Sequence, residues 1–404
     1  MKQLLILIAA ISLFSCSQKE KPNESSDGIS FQEDLNFLRK HLDEVVLLGD
    51  SLEGVVVVSP QFQARVMTSS AEGLSGKSFG WINHELIASG KIQPHIHAVG
   101  GEERFWLGPE GGQFGYYFKK DAPFNFENWQ VPAALDTEPF EIIQRSNSSA
   151  TFGRTMMLEN YSGNKFELEV KRKVEVLSKD SLDKIIGEAV GAGIKWVAYR
   201  TTNEIKNIGT NAWTQETGLP SIWILSMLNS SPSTLVGIPY KKSNQQESSP
   251  VNDGYFGKVP ADRLKVSDSL VVFKADGNYR SKIGIAPHAS FPIMTSYDPK
   301  TSLLTLACFD LPEGEKPYVN STWQIQPAPF GGDAVNAYND GPNDTGTQMG
   351  KFYELESSSP GAELKPGESL QHRHTTIHFT GEKALLDNIL KKTTGLSLHQ
   401  IAIP

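Results

Sequence analysis

Apolar and polar positions along this 404-residue chain follow three successive patterns. After Met1-Lys2-Gln3 an uninterrupted apolar run extends from Leu4 to Phe14, too short to cross a bilayer as a helix. Ser30 followed by Glu33 makes a capping-box pattern, and Phe31, Leu35, Leu38, Leu42 and Val45 recur at helical spacing, which predicts an amphipathic helix over 31–47. A second helix is predicted over 382–394. Between them the pattern is that of strands: 55–58, 65–68, 140–144, 151–158, 166–177, 195–202, 221–228, 270–274, 303–309, 321–326, 351–356 and 372–379, separated by clusters of Gly, Pro, Asn, Asp and Ser. The fold predicted is all-β, one large domain of packed antiparallel sheets over 28–404 with short helices at the N- and C-terminal ends. A two-domain split is the alternative.

The apolar run closes on Leu13-Phe14-Ser15-Cys16, which resembles the lipobox of bacterial lipoproteins. That implies a signal peptide over 1–15, lipid on Cys16, and export to the bacterial cell envelope, on its periplasmic or outer-membrane face, with the lipid as membrane attachment. An ordinary secretory signal with an incidental Cys16 is the other reading. Residues 17–27 contain no aliphatic or aromatic side chain, so 16–27 is expected to be a disordered tether. With Cys16 lipidated, Cys308 has no cysteine to pair with, and stability must come from the core. The 38 basic residues stand against 46 acidic ones, for a formal charge of -8 and no basic run; nucleic acid is not an expected partner.

Candidate chemistry concentrates in two places. From Pro94 to Phe118 the chain carries His95, His97, Glu102, Glu103, Arg104, Trp106 and Glu110 among glycines, groups that can hydrogen-bond hydroxyls or a carboxylate and offer a ring for a sugar to stack on. A turn-rich corner with a structural Arg–Glu pair would read the same way. Near the C-terminus, alternation puts Glu354 and Glu356 on one strand face, suited to acid and base work, and puts His372, His374, Thr376 and His378 on one side of another strand. That side faces either a cleft or solvent. The pairs His95/His97 and His372/His374 also make a divalent metal the lesser alternative to a site with no cofactor. Arg172 interrupts an otherwise apolar strand face: either a β-bulge turns it outward, or, the favoured reading, it turns inward onto a carboxylate or a ligand in the cleft. His288 can reach the same cleft or be structural. Trp213, Trp223 and Trp323 are assigned to the core, each also able to serve as a stacking platform. The loop Gly331 to Gly346, with Asp333, Asn336, Asn339, Asp340 and Asn343, reads as a calcium-like cluster or a polar rim.

Four phrases carry a family resemblance: Gly100-Gly101-Glu102-Glu103-Arg104-Phe105-Trp106-Leu107-Gly108-Pro109-Glu110-Gly111-Gly112, Tyr255-Phe256-Gly257-Lys258-Val259-Pro260, Gly331-Gly332-Asp333-Ala334-Val335-Asn336, and Phe352-Tyr353-Glu354-Leu355-Glu356 through Leu364-Lys365-Pro366-Gly367-Glu368. They resemble the galactose mutarotase-like superfamily, which includes the aldose 1-epimerases, and within it a lipoprotein branch. The resemblance implies a supersandwich with a sugar-binding cleft on the concave face of one sheet. It also implies that Glu356 or Glu354 takes the proton of an anomeric hydroxyl. The epimerase histidine has no counterpart, since the comparable stretch is Trp213-Thr214-Gln215-Glu216-Thr217-Gly218; His288, His95, His372 or Glu216 would have to replace it. The expected site therefore comprises Glu356, Glu354 and His288 as catalytic groups, with His95, His97, Glu103, Arg104, Trp106, Glu110, Arg172, His372 and His374 binding a carbohydrate. A non-catalytic glycan-binding lipoprotein and a metal-dependent glycan hydrolase or lyase are the two rival functions.

Overall fold

The computed structural model describes residues 29–242, 249–343 and 345–402. The expected signal peptide, Cys16 and the expected tether lie outside the described residues. Three sheets organise the rest, and every strand pairing within them is antiparallel. A small sheet joins Val46–Gly49, Val55–Ser59 and Arg65–Ser70. A seven-stranded sheet runs in the order Val251–Asn252, Ser281–Ile285, Val335–Asn339, Phe352–Ser358, Ser221–Leu225, Arg104–Gly108, with Leu228–Asn229 paired beside Phe352–Ser358. The ten-stranded sheet is built around the long strands Ser149–Glu159, Lys165–Val176, Lys195–Asn207 and Ser369–Thr380.

Alternation decides how the two large sheets meet. On the seven-stranded sheet Phe105, Leu107, Ile222, Ile224, Ile283 and Leu355 face inward, against Phe152, Val170, Val197, Val236 and Phe273 of the ten-stranded sheet. The opposite face of the ten-stranded sheet is covered by the helices Lys179–Ile186 and Lys383–Thr394, whose Leu182, Leu386 and Leu390 meet Leu304, Ile377 and Phe379.

The all-β expectation holds, with local corrections. The first helix spans Phe31–His41 with its capping box formed, but it stops at Leu42, and Val46–Gly49 is a strand whose alternate residues are buried. Residues 321–326 are not a strand: Gln326 and Trp323 turn their side chains to Asn320, Thr322 and Glu110 instead of entering a ladder. Among the described residues three further α-helices, His84–Ser89, Ala133–Asp136 and Lys179–Ile186, lie between the terminal ones.

A layer of polar groups is sealed between the large sheets, and it contains four residues expected in the cleft. Arg172 does turn inward, as alternation requires, but its partners are core groups: Nε donates to the Ala64 carbonyl at 3.0 Å, Nη1 to Asn203 Oδ1 at 2.5 Å and Nη2 to Glu103 Oε1 at 2.9 Å. Both members of this ion pair are fully buried. His372 and His374 share the Ser357 hydroxyl, at 2.9 Å each, and burial pushes both imidazoles down to about 3. Glu103, Arg172, His372 and His374 therefore join the sheets and do not line a cleft. Beside them His378 Nε2 meets Glu102 Oε1 at 2.9 Å and its Nδ1 meets Thr305 Oγ1 at 2.8 Å.

Two outcomes are expected. Arg172→Met leaves Glu103 charged and unpaired in the interior, so denaturant unfolding should show a loss of about 3–5 kcal/mol; an unchanged midpoint would contradict the structural role. The two histidines bind protons in the unfolded chain below the usual imidazole value of about 6.5 but in the folded chain only near 3. Between those values the unfolded state holds more protons, so stability falls as pH falls, by at most about 1.4 kcal/mol per pH unit for each histidine. Unfolding midpoints measured from about pH 7 to about pH 4 should show this slope in the native chain and a shallower one in His372→Gln/His374→Asn.

Candidate functional site

The outward face of the seven-stranded sheet gathers the remaining candidates by register. Arg104 stands opposite Leu225, Leu225 opposite Glu356, Glu356 opposite Asn336, and Asn336 opposite Gly284. Directly opposed residues share a face, so this row crosses five strands on one side of the sheet. A neighbouring row contains Glu354, Tyr338 and Lys282, and another contains Trp106, Trp223 and Ser358.

The charges on this face are paired. Arg104 Nη2 donates to Glu354 Oε1 at 2.9 Å, with its guanidinium 4.0 Å over the Trp106 ring. Glu356 Oε2 accepts from Lys282 Nζ at 2.7 Å and from Trp223 Nε1 at 2.9 Å, while its Oε1 is buried with no hydrogen-bond partner among the described residues. Lys282 Nζ also lies 4.8 Å over the Trp223 ring. Burial, reinforced by the neighbouring Glu356 carboxylate, pushes the Glu354 carboxyl above the usual carboxylate range, with Arg104 pulling in the opposite sense. Glu110 is raised by burial too, and accepts from Trp323 Nε1 at 3.1 Å.

One edge of this face opens on a cavity of about 210 Å³ whose lining includes Asn252, Tyr255, His288, Asn320 and Asp333. The Tyr255 hydroxyl donates to Asp333 Oδ2 at 2.5 Å and accepts from Asn336 Nδ2 at 3.2 Å. Burial raises the Asp333 carboxyl to about 6.

The structure thus brings together Arg104, Trp106, Glu110, Glu354 and Glu356, with His288 at the adjoining cavity. It does not bring His95 or His97 to them. His95 turns Nδ1 to the Trp129 carbonyl at 2.6 Å and packs on Phe126. His97 is buried on Phe62, its backbone N–H donating to Asp136 Oδ2 at 2.7 Å. Burial and the nearby Arg65 lower its pKa. With His372 and His374 sealed between the sheets, the two histidine pairs do not share a site, and among the described residues no three His, Cys, Asp or Glu side chains are placed to hold a metal ion. Trp106 is no open platform either: Arg104 covers one face, and Tyr117 and Trp223 pack on its sides.

Lys282, Trp223 as a donor to Glu356, and Tyr255 as the partner of Asp333 are not among the expected site residues, while Asp333 takes the place of a polar rim. Ser281–Ile285 is five residues long with Ile283 and Ile285 as its apolar side chains, too weak a pattern to mark a strand and so to place Lys282. Asp333 and Tyr255 did stand in phrases that carried the resemblance, and that was the available signal.

No curated protein matches the sequence. Solved structures similar to the chain include a galactose mutarotase-like protein from Lactobacillus casei ATCC 334, at 10% identity and a TM-score of 0.49, covering 83% of this chain and 100% of that one. The Slr1438 protein from Synechocystis sp. PCC 6803 is similar at 14% identity and a TM-score of 0.48, covering 85% and 98%. A galactose mutarotase related enzyme from Lactobacillus acidophilus is similar at 11% identity and a TM-score of 0.45, covering 83% and 97%. A family model described as a family of unknown function (DUF6786) matches residues 29–403, and the chain belongs to that family.

Proposed function

We propose that the outward face of the seven-stranded sheet binds a neutral sugar and carries out acid/base chemistry at its anomeric carbon, with Glu356 as the base. The observation that carries this reading is the state of Glu356: one carboxylate oxygen is fixed by Lys282 and Trp223, and the other, equally buried, has no partner among the described residues. A buried oxygen left without a donor costs stability, and a hydroxyl of a bound ligand would satisfy it. The fixed oxygen orients the carboxylate, which is what a general base needs. Among the described residues, the two cations that reach Glu354 and Glu356, Arg104 and Lys282, are each held by one of these acidic groups, which favours an uncharged sugar beside Glu356. The polar cavity lining, with Asn252, Asn320, Tyr255 and Asp333, suits hydroxyl groups. In the same proposal Cys16 carries lipid and holds the chain at the cell envelope.

Proton NMR of residues 28–404 with a panel of neutral aldoses reads anomer interconversion directly. The expected result is accelerated exchange that drops by about 10²-fold or more in Glu356→Gln. Sugars that bind without accelerated exchange would replace catalysis with a glycan-binding role. For the anchor, Cys16→Ser should move the protein from the membrane fraction to the soluble one, and unchanged partitioning would contradict lipidation.

A further inference from the structure

Asp333 lies just before the strand Val335–Asn339, yet its side chain reaches across to the neighbouring strand. A Cβ placed on Gly284 would come within 2.0 Å of Asp333 Oδ2 and 2.7 Å of Asn336 Nδ2. The space that Gly284 leaves empty is therefore where the Asp333 carboxyl sits, on the same face as Glu356 and separated from it by Asn336 in the cross-strand row. Two strand spacings put the backbones of Gly284 and Glu356 roughly 10 Å apart. Lys282 spans the interval: it belongs to the strand of Gly284, bonds Glu356 at 2.7 Å, and lies 5.5 Å from the centre of the Tyr255 ring. The cavity of about 210 Å³ opens at Asp333. Asp333 thus stands at the cavity, and Glu356 lies deeper on the same sheet face, joined to it through Lys282 and the Asn336 row.

We propose that Asp333 is a second catalytic residue of this site, the acid that protonates the ring oxygen of the sugar while Glu356 accepts the proton of the anomeric hydroxyl. The inference rests on the sugar reading of the face and supplies the acid that the sequence lacks at the epimerase histidine position. In the forward step the Glu356 carboxylate takes the proton from the anomeric O–H, whose electrons form the carbonyl. The bond from the anomeric carbon to the ring oxygen breaks, and its electron pair takes the proton of the Asp333 carboxyl. Rotation about the adjacent carbon–carbon bond and attack on the other carbonyl face reverse both transfers. No co-reactant is consumed.

The surroundings of Asp333 support this role. Burial raises its carboxyl toward about 6, while bonds from Tyr255 and Asn252 and the charge of Lys282 hold it down. Among the described residues the other titratable groups lining the cavity are Tyr255 and His288, the latter on the one-turn helix Pro287–Ala289, and Glu356 lies beyond Lys282. The Tyr255 phenol is kept neutral by burial and by its carboxylate neighbours; it is a positioning residue, acting through Asp333.

The test is the pH dependence of anomer exchange for glucose and galactose, with sugar affinity measured by titration on the same samples. In the native protein, exchange should fall as pH rises through about 6, because the acid form of Asp333 is lost. Asp333→Asn should lower exchange by about 10²-fold and abolish that limb, with affinity changed by less than about threefold. Tyr255→Phe, which removes a bond favouring the carboxylate, should keep exchange at low pH and move the limb to higher pH. Native exchange and an unshifted limb in Asp333→Asn, with Glu356→Gln inactive, would overturn the role of Asp333 and leave the sugar reading standing. Absence of exchange in the native protein would overturn both.

Discussion

An arginine removed from water between two sheets must find its hydrogen bonds there. Arg172 finds them on three segments at once: the Ala64 carbonyl, the Asn203 side chain and the Glu103 carboxylate. Glu103 is held at its backbone as well, exchanging bonds with Val66 at 3.0 and 3.1 Å. The next residue is Arg104, the first of the strand Arg104–Gly108. Because Glu103 is committed to the interior, alternation sends Arg104 to the outward face, where it meets Glu354. The buried pair thus sets the register of the edge strand that completes the site, and the Ser357 bonds to His372 and His374 do the same for the strand that carries Glu354 and Glu356.

On the outward face the arrangement divides four carboxyl groups into distinct roles. Glu354 is matched to Arg104, and Glu110 to the Trp323 indole. Glu356 is matched on one oxygen only, and Asp333 is held at the cavity by a phenol. Crowding like charges in a buried place raises their proton affinity, and Lys282 offsets this between the two groups that remain available. Two carboxyl groups with different environments are the usual means of obtaining an acid and a base from the same chemistry.

Much of this was legible before the structure. Strand alternation alone placed Glu354 with Glu356, turned Arg172 inward, and put His372, His374 and His378 on a shared face. Alternation says which residues share a face but not what that face meets, so the histidine row, expected in a cleft, packs in the interior, and Arg172 meets the carboxylate expected for it, Glu103, 69 residues away, in the core and not in a cleft. Ser281–Ile285 and Val335–Asn339 escape a reading by apolar pattern because each is five residues long with few apolar side chains, Ile283 and Ile285 in the first and Val335, Ala337 and Tyr338 in the second. Lys282 lies on the first and carries no signal in the sequence, whereas Asp333, just before the second, stands in the loop read as a polar rim or a calcium-like cluster. The helix expected over 31–47 ended early because Val46 and Leu48 pair with Val58 and Val56 in the small sheet, a tertiary contact that outweighs local periodicity.

The most direct test of the account is a crystal structure of residues 28–404 with a neutral aldohexose bound. The account predicts a sugar ring between Glu356 and Asp333, with its anomeric hydroxyl on Glu356 Oε1 and its ring oxygen toward Asp333. A sugar bound elsewhere on the surface, with the outward face of the seven-stranded sheet unchanged, would contradict it.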